Sequence, residues 1–248
     1  MDVLGDSGVL SLAFAAGFLA VLCASAVQST AGIGFGLIAA PVLLLIDPKF
    51  VPGTVIFLGI LVSFLSAMRD LPHINRAFVA AGIAGRVPAA VLAASLVAIL
   101  SPTAFQVIFA VLILAAVGLS VFGPAIRPSV PGVATAGVAS GFMGTLTSVG
   151  APPFAIAMQN LPAHELRATM NAVLLLGACV SLASLAAFGS FGWAEIVRGF
   201  ALIPAVLLGF FAARFIIADE RTAPRLRNAV LTLCVTASIA LLARAVLI

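Results

Sequence analysis

Long apolar runs, interrupted by short stretches of Pro, Gly and charged residues, follow one another along almost the whole chain. These runs predict ten helical segments, with approximate bounds of 8–29, 32–46, 53–68, 77–98, 104–122, 131–147, 150–161, 168–188, 195–214 and 228–247. The segments 32–46 and 150–161 rise only about 22 and 18 Å, against a bilayer hydrocarbon core of about 30 Å. Each follows a longer segment across a break that carries Gly or Ser. Membranes tolerate such broken helices only around a protein-lined cavity.

The composition is typical of a membrane protein, since 63% of the 248 residues are hydrophobic and 8% are charged. Soluble domains contain about 25% charged and 45–50% apolar residues. The contrast excludes a soluble globular protein, a disordered chain and a soluble enzyme with a small membrane anchor. We therefore expect an all-α, polytopic transmembrane helical bundle. The first apolar run has no positively charged region before it, so we expect a retained helix and not a cleaved signal peptide.

The two short segments occupy equivalent places in an internal repeat. A shift of 116 residues pairs Gly34 with Gly150 and Pro88 with Pro204. These Gly and Pro matches, and the shared order of segments, carry the inference, because Ala and Leu matches arise easily in this composition. We predict an N-terminal transmembrane repeat over 1–123 and a C-terminal one over 131–248.

The positive charges favour inverted repeats. If all ten segments cross, one side holds Arg69, Arg76, Arg127, Arg167, Arg214, Arg221, Arg225 and Arg227, whereas the other holds Lys49, Arg198 and Arg244. If the two short segments are re-entrant instead, the same charges divide six to five. The positive-inside rule favours ten crossings, which place five in each half and both termini on the outer side. Inverted repeats with paired broken helices are typical of transporters whose site lies at the repeat interface.

The breaks carry most of the candidate binding residues. A helix that starts inside a membrane presents unpaired backbone N–H groups and a dipole that attract anions. Close helix packing through Gly-x-x-x-Gly is the alternative explanation for the glycines. The candidates are Gln28, Ser29, Thr30, Gly32 and Gly34 at the first break and Thr147, Ser148, Gly150 and Pro152 at the second.

Arg86 is the second candidate feature, because it lies near mid-depth of segment 77–98. An intramembrane arginine is costly and indicates a functional site. All eight acidic residues fall in loops or at helix ends, so a substrate anion is a suitable counter-ion. The alternative is that Arg86 reaches an interface or binds carbonyls freed near Pro88. Asn171, one turn beyond Arg167, is a further candidate for the cavity, although helix–helix hydrogen bonding explains it equally well.

The Gly-rich break that leads to Pro41, the sequence SVGAPP at 148–153 and the sequence HELRAT at 164–169 resemble the sulfite exporter TauE/SafE family. The resemblance extends over nearly the whole chain, through both repeats. It implies a transporter of sulfur-containing anions, such as sulfite or sulfonates, in a bacterial inner membrane. Ser148 and Ala151 depart from the family pattern, which commonly has glycine at these positions.

We therefore expect a secondary transporter that exports a small sulfur-containing anion by alternating access. Import of the same or related anions, or a role as membrane subunit of a larger complex, are the alternatives. An intramembrane enzyme is disfavoured, because both histidines fall in loops and no Gly-x-Ser-x-Gly sequence occurs. The cysteines have no metal-ligand spacing, so we expect no metal or cofactor. The expected partners are the anion and the lipid bilayer, not nucleic acid, and a homodimer is left open.

Overall fold

A computed structural model describes residues 12–32, 34–124, 126–216 and 222–247. Within these residues the chain forms ten α-helices, two short 3-10 turns and no strand. The helices are α1 Leu12–Ala31, α2 Phe35–Ile46, α3 Gly53–Arg69, α4 Arg76–Ile99, α5 Pro102–Phe122, α6 Val130–Thr147, α7 Ala151–Met158, α8 Ala163–Ala187, α9 Trp193–Ile216 and α10 Thr222–Leu247. The predicted all-helical bundle is therefore confirmed.

Several helices begin at a residue that caps their first turn. The side chains of Asn75, Ser101 and Ser129 accept hydrogen bonds from backbone N–H groups of α4, α5 and α6, respectively. These caps satisfy donors that have no partner inside the helix, so each sequence position fixes where a helix starts.

Among the described residues, five helices are long and apolar enough to cross a membrane, by length and composition, namely α1, α4, α5, α8 and α9. Large apolar side chains on the outer faces remain exposed, including Leu92 at 62% and Phe200 at 59%. In water such a surface would be unfavourable, but it matches contact with lipid chains. The chain is a multi-pass membrane protein.

Both short helices turn back along the helix that precedes them. Leu43 and Ile46, near the end of α2, lie against Gly17 of α1. Likewise, Phe154 of α7 and Val133, near the start of α6, belong to one apolar cluster, and both lie beside Gly82 of α4. With 12 and 8 residues, α2 and α7 are about 18 and 12 Å long. Each break is therefore the tip of a helical hairpin.

One end of the bundle carries the loop 70–75, the loop 123–129 and the start of α8. Arg167 Nε donates a hydrogen bond of 2.8 Å to Asp70 Oδ2, and Gln159 Nε2 donates one of 2.8 Å to the Pro124 carbonyl. We call this the Asp70 end. The predicted Arg-bearing loops 69–76, 123–131 and 162–167 lie at this end, whereas the predicted loop 214–227 contains residues 217–221, which lie outside the described residues.

The opposite end carries the start of α3 and the turn that precedes α9. Thr54 Oγ1 donates a hydrogen bond of 3.1 Å to the Glu195 carbonyl, and Phe191 lies against Gly53. We call this the Pro52 end. Because α3 has 17 residues, the two ends are about 25 Å apart.

Small residues bring α4 very close to α6. A side chain at Gly85 would meet the Ala134 carbonyl oxygen, and one at Gly141 would meet the Arg86 carbonyl. Backbones approach this closely only where side chains are absent, as is common between membrane helices. Helix α9, the fourth of the predicted C-terminal half, packs on α1, the first of the N-terminal half. The fourth helix of each predicted half therefore contacts the first helix of the other half.

Candidate functional site

The tips of the two hairpins meet in the interior of the bundle. Gly36 lies directly against the Ser148 carbonyl, where a Cβ atom could not fit. Gly32 and Gly34 have φ angles of 75° and 120°, and Ser148 has a φ of 64°. Glycine adopts this left-handed region freely, whereas a serine there is strained.

A cavity of about 50 Å³ lies between the two tips. Its polar wall is formed by Gln28, Ser63, Arg86 and Ser148, and the backbones of Gly34, Gly144 and Gly150 complete that side. Apolar side chains of α2, α3 and α8 close the rest. Both predicted halves contribute to one small, mixed pocket.

Arg86 reaches this cavity from α4 and is only 3% exposed. Its Nη1 donates a hydrogen bond of 2.6 Å to Ser140 Oγ, and its Nη2 donates a longer one of 3.4 Å to Ser181 Oγ. Ser140 in turn donates to the Gly150 carbonyl at 2.6 Å, which ties the guanidinium to the second break. Arg86 Nε is buried without a hydrogen-bond partner.

The Arg86 charge has no carboxylate beside it among the described residues. The ion pairs of that part of the chain join Asp70 to Arg69 and Arg167, and Glu195 to Arg198. All of these lie at the ends of the bundle. A buried cation with neutral partners alone is under-compensated, so an anion in the cavity would supply the missing charge.

Three glycines leave the space that the guanidinium occupies. A Cβ at Gly177 would overlap the Nε, Cδ and Cζ atoms of Arg86, and Cβ atoms at Gly144 and Gly150 would lie 2.9 and 2.8 Å from its terminal nitrogens. We call these three residues the glycine cradle. The cradle belongs to α6, α8 and the second break, so the cation comes from one predicted half and its surroundings from the other.

Backbone amides contribute less to the cavity than the breaks predict. The Phe35 N–H at the start of α2 donates to Gln28 Oε1 at 3.1 Å, and the Val149 N–H donates to Thr147 Oγ1 at 3.2 Å. At the start of α7, Pro152 and Pro153 have no N–H to offer. The guanidinium is the charged donor at this site.

Five of the predicted binding residues line the cavity, namely Gln28, Gly34, Arg86, Ser148 and Gly150. The other six, Ser29, Thr30, Gly32, Thr147, Pro152 and Asn171, are not among the lining residues. The hydroxyls of Ser29, Thr30 and Thr147 donate to the carbonyls of Ser25, Val27 and Met143 on their own helices.

Asn171 does not line the cavity but contacts Gln28, which does. Its Oδ1 accepts a hydrogen bond of 3.3 Å from Gln28 Nε2, and its Nδ2 donates to the Arg167 carbonyl at 2.9 Å. Gln28 Nε2 also donates to Ser63 Oγ at 3.1 Å. This chain of amides connects the cavity wall to α8.

The sequence interpretation missed Ser63, Ser140, Gly144, Gly177 and Ser181 as site residues. A signal for four of them exists, because Ser140 and Gly144, and also Gly177 and Ser181, are four residues apart and share one helix face. Two helix faces that carry only small residues leave room for a long side chain, so they indicate where an intramembrane arginine can lie.

Charged residues are concentrated at the Asp70 end. Asp70 accepts two hydrogen bonds from Arg167, of 2.8 and 3.2 Å, and lies 3.5 Å from Arg69 Nη2. Burial of the carboxyl acts to raise its pKa, but the hydrogen bonds and charge of Arg167, helped by Arg69, hold the pKa of Asp70 below its ordinary value. Arg69 also donates to the Ser29 carbonyl at 2.7 Å, near the end of α1. These side chains join α1, α3 and α8.

Within the part of the chain that the structure describes, no three His, Cys, Asp or Glu side chains are grouped as metal ligands. The family model described as Sulfite exporter TauE/SafE matches residues 17–241. The matched region includes both breaks, Arg86 and the Asp70 end. No curated protein and no solved structure matches the chain.

Proposed function

The chain belongs to the sulfite exporter TauE/SafE family, and from that premise we propose that it is a secondary transporter of sulfite or a small organosulfonate. The substrate binds in the cavity between the two hairpin tips. Arg86 is the residue that binds it, through the fork of N–H groups that suits trigonal and tetrahedral oxyanions. Ser63, Ser148 and Gln28 provide the neutral polar wall.

One observation carries this proposal. Arg86 is a buried cation that lines the cavity, has only hydroxyl partners and keeps one N–H without a partner. A purely structural arginine would be expected to have its donors satisfied by carbonyls or a carboxylate. A bound oxyanion would both accept the free hydrogen bond and balance the charge.

The size of the cavity also supports a small solute. One water-sized group requires about 10–15 Å³ on the same measure, so the cavity accommodates about three to five such groups. That space matches an anion of a few heavy atoms. It is too small for a nucleotide or a lipid headgroup.

We infer that transport proceeds by alternating access between two inverted repeats. The exchanged packing of α1 on α9 and of α4 on α6 supports this arrangement. The site itself is asymmetric, because Leu202, the repeat equivalent of Arg86, is buried in the apolar core. One half would therefore provide the charged side chain of a site that both halves enclose.

Export is the proposed direction, with the Asp70 end facing the cytoplasm of a bacterial cell and the Pro52 end facing the periplasm. An inside-negative potential drives an anion outward by about 2.3 kcal/mol per charge for each 100 mV. Both termini would then lie on the periplasmic side, and the protein needs no enzymatic activity.

The test is sulfite flux into proteoliposomes, together with the Kd for sulfite in detergent. Arg86→Ala should abolish flux and weaken binding at least about 10-fold, because it removes one or two charge-assisted hydrogen bonds of about 1.5–3 kcal/mol each. Arg86→Lys should recover part of the binding, since it keeps the charge but loses the fork.

Arg198→Ala is the matched control, because Arg198 pairs with Glu195 at the Pro52 end and does not line the cavity. It should leave the Kd for sulfite unchanged. If Arg86→Ala binds and transports sulfite like the unaltered protein while remaining folded, the assignment of Arg86 is wrong.

A further inference from the structure

The cavity lies at unequal distances from the two ends of the bundle. On α3 the lining residues extend from Val55 to Ser63. Val55 is one helical turn from Pro52, whose carbonyl accepts a 3.1 Å hydrogen bond from Ser148 Oγ. Between Ser63 and Asp70 lie two turns of α3, about 10 Å. The layer that separates the cavity from the Asp70 end is thus the thicker one.

That layer is held together by charge. Arg167 binds Asp70 through two nitrogens, and its side chain also lies against Gly32 at the tip of the first hairpin. Arg69 fixes the Ser29 carbonyl in the same tip. At the Pro52 end, Ser148 and Arg198 each donate one hydrogen bond to a backbone carbonyl of a neighbouring segment, and the Arg198–Glu195 ion pair lies within α9. No bidentate ion pair joins two helices there among the described residues, and single bonds to carbonyls are weaker than such a pair.

We propose that Arg167 is a second oxyanion site and that Asp70 occupies it while the Asp70 end is closed. The two carboxylate oxygens on Arg167 stand where two oxygens of a sulfite or sulfonate would bind. This inference rests on the proposed function, because it assumes that an oxyanion passes between the Asp70 end and Arg86.

The contacts around Arg167 explain how exchange would open the path. An arriving anion that displaces Asp70 leaves Arg167 paired but separates α3 from α8. The Arg167 carbonyl is bound by Asn171, which contacts Gln28, and Gln28 lines the cavity and holds the start of α2. Movement of α8 therefore acts directly on the wall of the inner site. The anion passes from one arginine to the other, and Asp70 restores the closed pair behind it.

The test measures opening and transport separately. A single reporter, Ser63→Cys, is placed in the cavity of a chain whose own three cysteines are replaced by Ala. A membrane-impermeant thiol reagent is applied to vesicles of each orientation. The Kd for sulfite and the sulfite flux are measured in the same variants without the Ser63→Cys reporter, because Ser63 belongs to the cavity wall. His73→Gln, an exposed change at the Asp70 end, is the matched control.

Asp70→Asn should speed labelling from the Asp70 end by at least about fivefold, because it removes a partly buried ion pair. Labelling from the Pro52 end should stay the same, and the Kd for sulfite should remain within about twofold. Unchanged labelling from the Asp70 end would refute the proposal that Asp70 closes this end. If the unaltered protein itself binds no sulfite, the proposed function fails, whereas the labelling result still decides whether Asp70 closes this end.

An exchange of the two charges distinguishes a second anion site at Arg167 from an ion pair that only holds α3 and α8 together, which we call a latch. The double variant Asp70→Arg with Arg167→Asp should restore slow labelling, since opposite charges face each other again. Flux should stay at least about tenfold below that of the unaltered protein, because α8 no longer carries the cation that receives the anion. Full recovery of both labelling and flux would show that the pair is only a latch and would overturn the role of Arg167 in binding.

Discussion

Replacement of Gly177 by alanine tests the glycine cradle most directly. The added methyl group would overlap the Nε, Cδ and Cζ atoms of Arg86. A shift that relieves this overlap would lengthen the hydrogen bonds of the guanidinium to Ser140 and Ser181 and move its terminal nitrogens away from Gly144 and Gly150. The change therefore displaces the cation from the cavity wall without altering any polar residue.

The magnitude follows from the hydrogen bonds at risk. Loss of one charge-assisted hydrogen bond to the anion removes about 1.5–3 kcal/mol, which corresponds to a 10- to 150-fold increase in the Kd for sulfite. Alanine is favoured over glycine in a helix by about 1 kcal/mol, and this gain offsets part of the packing cost in α8. We expect Gly177→Ala to lose affinity far more than it loses thermal stability.

Gly118→Ala provides the matched control, because a Cβ at Gly118 in α5 meets nothing within 4 Å. It should leave the Kd unchanged and raise the unfolding temperature slightly. The assay is calorimetric titration with sulfite in detergent, with thermal unfolding followed by circular dichroism. An unaltered Kd for Gly177→Ala would show that the position of the Arg86 side chain does not determine anion binding.

Three further predictions concern the surroundings of the site. Ser140→Ala should lower the free energy of unfolding by about 1–3 kcal/mol, since it removes a buried partner of Arg86 and of the Gly150 carbonyl, whereas Ser95→Ala on an exposed face should have no effect in the same thermal assay. The pKa of Asp70 is lowered in the folded protein, so its contribution to stability is present above its ordinary pKa and is lost as the pH falls through the lower folded pKa. The stability difference from Asp70→Asn should shrink over that acidic range, and a difference independent of pH would contradict the pairing. Impermeant thiol labelling of His73→Cys and Ser190→Cys in oriented vesicles should find the two positions on opposite sides, and labelling from the same side would remove the inverted arrangement.

The sequence predicts the helices well because their apolar runs and caps act locally. Asn75 and Ser101 each precede an apolar run and cap the helix that follows, so these starts are close to the predicted bounds. The interior position of Arg86 is also predictable, since its depth in an apolar segment follows from the sequence, whereas its role in binding stays a prediction. The sequence does not predict that α2 turns back along α1, because this turn depends on φ angles at Gly32 and Gly34 that glycine permits but does not require.

The orientation of the Ser and Thr hydroxyl groups could not be predicted from the sequence. Ser29 and Thr147 stand next to the breaks, yet each hydroxyl bonds a carbonyl four residues earlier in its own helix. This local partner is always within reach for a helical Ser or Thr, so proximity to a break does not direct the side chain into a cavity. Ser63 lines the cavity instead, from a helix with no break. Its orientation is set by the packing of α3, which is a tertiary property.

The division of the site between two halves has a consequence for membrane insertion. During synthesis α4 emerges before α6 and α8, so Arg86 reaches the bilayer before Ser140, Ser181 and the glycine cradle exist. A centrally placed arginine opposes insertion of a helix by about 2.5–3.5 kcal/mol, which the apolar residues of α4 must outweigh alone. A chain that ends after α5 would expose this uncompensated cation to lipid. Insertion of α4 therefore depends on its own apolar residues until α6 and α8 arrive.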